Sequence, residues 1–366
     1  MIIGVPRERK TLEKRVAITP EGAAELLAHG HQVLIEKDAG LGSFFDNSQY
    51  SEIGCQIVDS LDGVWARAEM IVKVKEPHES EYPLFRPGLI IFDYLHLASL
   101  PEVAHRLVDG RMTSFAYELI KSSSGRLPLL EPMSEVAGKL AVLNGQNFLL
   151  SQHSGRGILL GGTSETVPAH VVILGAGVAG FAAADVAIGC GAKVTVLDIN
   201  PARLERLRDR YGHDIRALTS SSGALKREIS SADLLVGAVL VPGAAAPKIV
   251  TRQMIRSMKP GAVFVDISID QGGCSETSKA TSLDAPTYIE EGVVHYGVCN
   301  MPAQTPRTST LALTTATLPY IIRLADQGIA SCLSNDKEFI GALNTIDGRL
   351  TNKEVSHAVG IPYSEF

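Results

Sequence analysis

Cysteine is sparse and scattered in this chain: Cys55, Cys190, Cys274, Cys299 and Cys332 are the only five in 366 residues, and no two are spaced CxxC. That excludes a disulfide framework and a cysteine-based zinc site, so a reducing, cytoplasmic setting and no metal are expected. No basic block long enough to track phosphates occurs. Lys and Arg number 34 against 40 Asp and Glu, a net charge of −6, which argues against a nucleic-acid partner. Long uncharged apolar runs are missing too. The richest stretches, 168–192 and 232–247, contain Asp185 or are broken by Gly and Pro, so no membrane span is expected. The opening MIIGVPRERK has no apolar segment behind its charges and does not read as a signal peptide. Fixed-period repeats and low-complexity tracts are also absent.

What remains is the balance of a soluble globular protein, 45% hydrophobic and 20% charged, with enough length for about two domains. Short β-branched runs alternate with helical stretches from the start, the pattern of a parallel sheet covered by helices. IIGV (2–5), HQVLIE (31–36), EMIVKVK (69–75), LIIFDY (89–94) and TSFAYE (113–118) are the expected strands of a first α/β unit. A polar break at 121–128 precedes MSEVAGKLAVLNGQNFLLSQ, where Ser134 and good helix formers predict a long connecting helix. A second unit runs through HVVILGAGVAG (170–180), KVTVLDIN (193–200), IRALTS (215–220), DLLVGAV (233–239) and AVFVDIS (262–268). After TPRTST, the segment ALTTATLPYIIRLADQG reads as a helix returning to the first unit. The expected division is therefore 1–128 with 307–366 as a substrate domain and 129–306 as a dinucleotide domain, a hinged pair.

Gly175, Gly177 and Gly180 form GxGxxG directly after a hydrophobic strand and directly before an Ala-rich helix. In that context the first glycine permits the turn, the second lets backbone approach a pyrophosphate, and the third allows helix and strand to pack closely. The helix N-terminus then supplies amide donors to the anion. Asp198 follows Gly180 by 18 residues at the end of the next strand, close to the roughly 20 expected of the carboxylate that binds the adenosine ribose. A carboxylate there repels a 2′-phosphate, so NAD is expected over NADP, with Arg203 as the one nearby charge against it. Ser134 and Ser220 are read as loop residues within reach of the cofactor.

Ligands of open α/β sheets bind beyond the carboxyl ends of the strands. At those ends stand Lys75, closing EMIVKVK; His96, just past LIIFDY; Asp270, just past AVFVDIS and before Gly272 and Gly273; and Arg15, in the loop after the first strand. Singly, each has an ordinary structural explanation: a solvated flank, a satisfied core histidine, a turn. Together, two cations, an imidazole and a carboxylate suit a 2-oxo or 2-amino acid, with Arg15 for its carboxylate, Lys75 for its carbonyl oxygen and His96 as acid and base near neutral pH.

With those residues in place, the chain resembles the family of alanine dehydrogenases that also includes the NAD-binding subunit of nicotinamide nucleotide transhydrogenase. RVAITP, VKVKEP, YLHLA, LPLLEPMSEVAG, LGAGVAG, VTVLDIN, GAVLVPG, DISIDQGG, HYGV, NMP and TPRTST carry the likeness from residue 15 to residue 310. The resemblance implies two Rossmann-like doubly wound domains with a cleft between them, a homohexamer built as a trimer of dimers, and reversible NAD-dependent oxidative deamination of L-alanine to pyruvate and ammonium. It gives substrate binding to Arg15 and Lys75, proton transfer to His96, and the second catalytic role to Asp270. It places cofactor contacts on Ser134, Val178, Ala179, Asp198, Arg203, Ser220, Val239, Leu240, Ile267, Lys279, Val298, Asn300 and Met301. The segment 161–170, Cys299 and Gln304 depart from the family pattern. Another small amino acid, glyoxylate, a transhydrogenase-type nucleotide module or a homologue without turnover are the alternative readings.

Overall fold

The structure, a computed structural model, describes residues 1–239 and 246–366. Contacts divide the chain into two compact units, residues 1–133 with 303–366 and residues 134–302.

In the first unit, strands β1 (Ile2–Val5), β2 (Gln32–Glu36), β3 (Gln56–Val58), β4 (Met70–Lys75), β5 (Ile90–Tyr94) and β6 (Thr113–Ala116) run parallel in the order β3-β2-β1-β4-β5-β6. Antiparallel strands Leu343–Ile346 and Arg349–Leu350 extend the β6 edge. Every residue of β4 and β5 is buried, as expected of strands covered on both faces. Helix Pro20–Ala28 follows from its signals: Thr19 caps it by accepting from the Gly22 amide, and Pro20 opens it. Strand order reverses between β1 and β4, so the loop carrying Arg15 and the end of β4 carrying Lys75 both leave the sheet at its switch point.

The second unit contains β7 (His170–Leu174), β8 (Lys193–Asp198), β9 (Ile215–Thr219), β10 (Leu234–Gly237), β11 (Val263–Asp266), β12 (Thr287–Glu290) and β13 (Val293–Tyr296). Their order is β12-β13-β11-β10-β7-β8-β9, parallel except for β12. The reversal here falls between β7 and β10, beside the glycine loop.

Several boundaries differ from expectation for local reasons. The long helix spans Glu131–Phe148, so Ser134 lies inside its first turn and not in a loop. Helix Asn47–Ser51 opens where Asp46 and Gln49 close a capping box. TSFAYE is strand only to Ala116; Tyr117–Leu119 is a 3-10 turn. The returning helix covers Pro306–Asn335 and is broken at Gly328, whose φ is 74° and ψ 166°. The antiparallel edge strands were not anticipated, being short and lacking a sustained pattern.

A charge cluster lies inside the first sheet. Lys73 Nζ sits 3.0 Å from Glu81 Oε1 and 3.4 Å from Glu8 Oε2, all three side chains at 2% exposure or less. Glu8 also accepts from the Val74 amide at 2.6 Å. Burial pushes Glu8 up to about 7 from an ordinary 4.5 despite Lys73. Burial likewise drives Asp93 well up; neither of its carboxyl oxygens has a hydrogen-bond partner among the described residues. A raised carboxyl binds its proton in the folded chain at pH values where the unfolded chain has lost it, so this contribution to stability is lost as pH rises from about 4.5 to about 7. Glu8→Gln therefore flattens the fall of the melting temperature across that window, as calorimetry at several pH values will show.

Candidate active site

Arg15 is brought inside by the chain that follows β1 and is 2% exposed. Its guanidinium is gripped along one edge by Glu13, Nε to Oε1 at 2.7 Å and Nη2 to Oε2 at 2.6 Å, and its backbone amide donates to the same carboxylate at 3.0 Å. Nη1 rests on Met133 Sδ at 3.1 Å. Burial opposes the charge and Glu13 more than offsets it, so Arg15 stays cationic. The pair borders a cavity of about 170 Å³ walled also by Arg7, Glu8, Lys14 and Asp38, so the fork is not sealed in apolar core.

Lys75 is buried at the end of β4, not solvated as a strand flank would be; its Nζ is 3.6 Å from Glu76 Oε2. Glu76 also takes Lys10 at 2.6 Å, and although burial pushes its carboxyl up, the two lysines hold it below the ordinary carboxylate range. Lys75 pairs in register with Tyr94 of β5. The Tyr94 hydroxyl donates to the Leu129 carbonyl, and its ring feels the charge of Arg15.

His96 lies two residues past Tyr94. Its ring is parallel to that of Tyr94, with centroids 5.9 Å apart and planes within 2°. The His96 side chain is 38% exposed, which removes the core-histidine explanation and leaves the imidazole open to a ligand. Its backbone is left-handed, φ 47°, unusual for a residue with a Cβ. The loop after β1 and the carboxyl ends of β4 and β5 thus carry Arg15, Lys75, Tyr94 and His96. Asp270 belongs to the other unit.

In that second unit the glycines stand between the end of β7 and the first turn of helix Val178–Gly189. Gly175 has φ 104°, and a Cβ there would stand 2.5 Å from the Ala238 carbonyl oxygen. A Cβ on Gly180 would stand 1.8 Å from the carbonyl oxygen of Gly175, so only glycine lets helix Val178–Gly189 meet the loop. That helix begins with no side-chain cap at Gly177, and a Cβ on Gly177 would meet nothing within 4 Å. Uncapped amides facing open space are what a pyrophosphate needs.

Asp198 ends β8 beside this loop. Its Oδ2 accepts from the Ala176 amide at 2.6 Å and its Oδ1 from the Asn200 amide at 2.7 Å. Arg203 Nη1 is 3.8 Å from Oδ2 and half exposed, so it leans on the carboxylate and does not displace it. The Ser220 amide donates to the Asp198 carbonyl at 2.9 Å; Ser221, not Ser220, caps the next helix. The Val239 amide and carbonyl both bond to Ser268 Oγ, at 3.1 and 2.7 Å, tying the end of β10 to the turn Ile267–Gln271. Asp270 is exposed in that turn and accepts from the Asn300 amide at 3.1 Å. Val298 and Met301 are buried. Lys279 is turned to Glu290, 2.9 Å away, over the ring of Tyr288. Leu240 lies outside the described residues. Among the described residues no cluster of His, Cys, Asp or Glu fit to hold a metal is present.

Glu13 and Glu118 both act on proposed site residues and both escaped sequence reasoning. Glu13 stands only two positions before Arg15, where charge in a loop carries no signal, and Glu118 was hidden in a run that reads as strand.

Residues 4–137 match the family model described as alanine dehydrogenase/PNT, N-terminal domain, and residues 141–353 match its C-terminal domain. The chain belongs to the alanine dehydrogenase/PNT family. It is 46% identical to the alanine dehydrogenase of Methanococcus maripaludis over 365 residues, covering 100% of this chain and 98% of that one. Its identity to the alanine dehydrogenase of Bacillus subtilis is 48% over 365 residues, 99% of this chain and 96% of that one. Among solved structures an L-alanine dehydrogenase superposes with a TM-score of 0.94 at 44% identity, over 98% of this chain and 99% of that chain. The transhydrogenase of Sinorhizobium meliloti shares the fold, with a TM-score of 0.81 at 24% identity over 96% of this chain and 99% of that one. The two-unit α/β Rossmann-like architecture is that of the L-alanine dehydrogenase match. No helix among the described residues is long and apolar enough to cross a membrane.

Proposed function

We propose that this chain is an NAD-dependent L-alanine dehydrogenase, oxidising L-alanine to pyruvate and ammonium and running the reverse reaction when those products are supplied. The observation that carries the reading is the placing of Arg15, Lys75 and His96 beyond the carboxyl ends of the neighbouring strands β1, β4 and β5 in a chain 46% to 48% identical to alanine dehydrogenases along its whole length.

The roles follow from the side chains. Arg15, rigidly held by Glu13, offers the substrate carboxylate a buried cationic guanidinium. Lys75 binds the oxygen that becomes the pyruvate carbonyl. NAD, when bound, would supply the acceptor for the Cα hydrogen of alanine and its electron pair. Loss of the ammonium proton and of the Cα hydrogen leaves an iminium, to which water adds; His96 takes the proton of that water to give the carbinolamine, returns it to the amine, and takes the hydroxyl proton as the C–N bond breaks and the carbonyl forms. Asp270 orients the water and favours the cationic imine. Holding the reacting groups in one orientation supplies roughly 7 to 11 kcal/mol of the barrier.

NAD fits the second unit, where Gly175 and Gly180 leave no room for a Cβ and Asp198 presents an anion at the loop mouth. The remaining cofactor positions, Ser134, Val178, Ala179, Arg203, Ser220, Val239, Leu240, Ile267, Lys279, Val298, Asn300 and Met301, rest on family likeness. Asp198→Asn raises the KM for NAD by roughly 10-fold, the cost of one charge-assisted hydrogen bond, and narrows the preference over NADP; steady-state rates with both cofactors check this.

Family likeness also supports a cytoplasmic homohexamer working in alanine catabolism, and light scattering at six times 39.0 kDa tests the assembly. The reading as a whole is tested by NAD reduction across a panel of small L-amino acids. Turnover with alanine bears it out; turnover with none, while NADH still binds, favours a nucleotide-binding module.

A further inference from the structure

Sequence pattern carries β6 through Glu118, but the strand ends at Ala116 and the turn Tyr117–Leu119 folds Glu118 back to the end of β5. There its carboxylate accepts from two successive amides, His96 N at 2.7 Å and Leu95 N at 3.3 Å. The same Oε1 that takes the His96 amide stands 3.6 Å from His96 Nδ1. Ser99 Oγ donates to the His96 carbonyl at 2.9 Å, so the residue is tied at both backbone ends.

We propose that Glu118 is the positioning residue of His96: it fixes the left-handed backbone that presents the imidazole and supplies the anion beside the ring when the ring is protonated. The inference rests on the reading of His96 as acid and base and deepens it. A residue with a Cβ holds φ 47° only where its surroundings over-determine it, and two amide bonds to one carboxylate do this. Because Oε1 is bound to the amide of His96 itself, the anion cannot drift from the ring it serves. Nδ1 faces the carboxylate, which leaves Nε2 as the nitrogen turned to substrate. Tyr94, stacked flat on the imidazole, limits rotation out of that pose. A second-layer carboxylate of this kind sets tautomer and orientation without touching the substrate.

The test compares Glu118→Gln and Glu118→Asp with the parent enzyme. Gln keeps an amide acceptor and removes the charge; Asp keeps the charge on a shorter arm. In Glu118→Gln kcat for alanine oxidation falls at least 10-fold, while the KM for alanine, the KM for NAD and the thermal midpoint stay within twofold or a few degrees of the parent. Glu118→Asp recovers part of that loss. A Gln variant with kcat within twofold of the parent overturns the proposal, as does one in which kcat, both KM values and the thermal midpoint deteriorate together. His96→Ala measured alongside separates the two levels. If His96→Ala is inactive and Glu118→Gln is fully active, only the role of Glu118 fails; if His96→Ala turns over normally, the reading beneath it fails.

Discussion

Replacement of His96 by Ala lowers kcat for alanine oxidation by roughly 10² to 10⁴, the usual contribution of a positioned acid and base. NADH binding, followed by fluorescence, stays at the parental affinity, because every proposed cofactor contact lies in the other unit. Stability changes little: the side chain is 38% exposed, and what it buries is its stacking on Tyr94. A loss of kcat with intact cofactor binding and folding is specific to a chemical role. Equal losses in all three measurements indicate a structural one.

The second large effect is at Arg15. Arg15→Met leaves Glu13, whose side chain is 0% exposed, as a buried anion stripped of its fork. Breaking a buried pair from one side costs about 3 to 5 kcal/mol, on the order of 10 °C in thermal midpoint for a unit of this size. The KM for alanine and for pyruvate rises as well, because the guanidinium is the proposed carboxylate anchor. A double variant separates the two consequences. Adding Glu13→Gln to Arg15→Met removes the stranded charge and keeps an acceptor for the Arg15 amide, so most of the stability returns. The KM does not recover. If stability and KM recover together, Arg15 is a structural cation and not the anchor.

The parts of the molecule legible in advance are those whose physics is local. The glycine loop and Asp198 announced themselves because a tight turn, a close backbone approach and a carboxylate at the next strand end are constraints on single positions at short spacing. The places of Lys75 and His96 at strand ends were legible because strand ends can be read from β-branched runs. What stayed hidden depends on contacts distant in sequence. Glu118 binds the amides of Leu95 and His96 from 23 and 22 residues away, and no pattern around TSFAYE marks where the strand stops. The cluster of Lys73, Glu8, Glu81 and Asp93 was invisible for the same reason, since a lysine within a strand reads as a solvated face until its neighbours close over it. Ser134 was misplaced because a helix start was assigned to the serine, when the helix had already begun at Glu131.

These buried charges lie at the strand ends proposed to carry the chemistry. Lys73 lies two residues before Lys75 in β4 with Glu8 beside it, and Glu13 and Glu118 each hold one proposed site residue. The proposed anchor and the proposed acid-base group are thus held by separate carboxylates, one on a loop and one on a turn.

The central claim is that this chain moves the Cα hydrogen of alanine to NAD. The direct measurement is turnover of L-alanine carrying deuterium at Cα with unlabelled NAD, followed by mass spectrometry of the reduced cofactor. The account predicts one deuterium in each NADH formed, with pyruvate and ammonium in equal amounts. NADH without the label, or no NADH from alanine while the cofactor still binds, would contradict it.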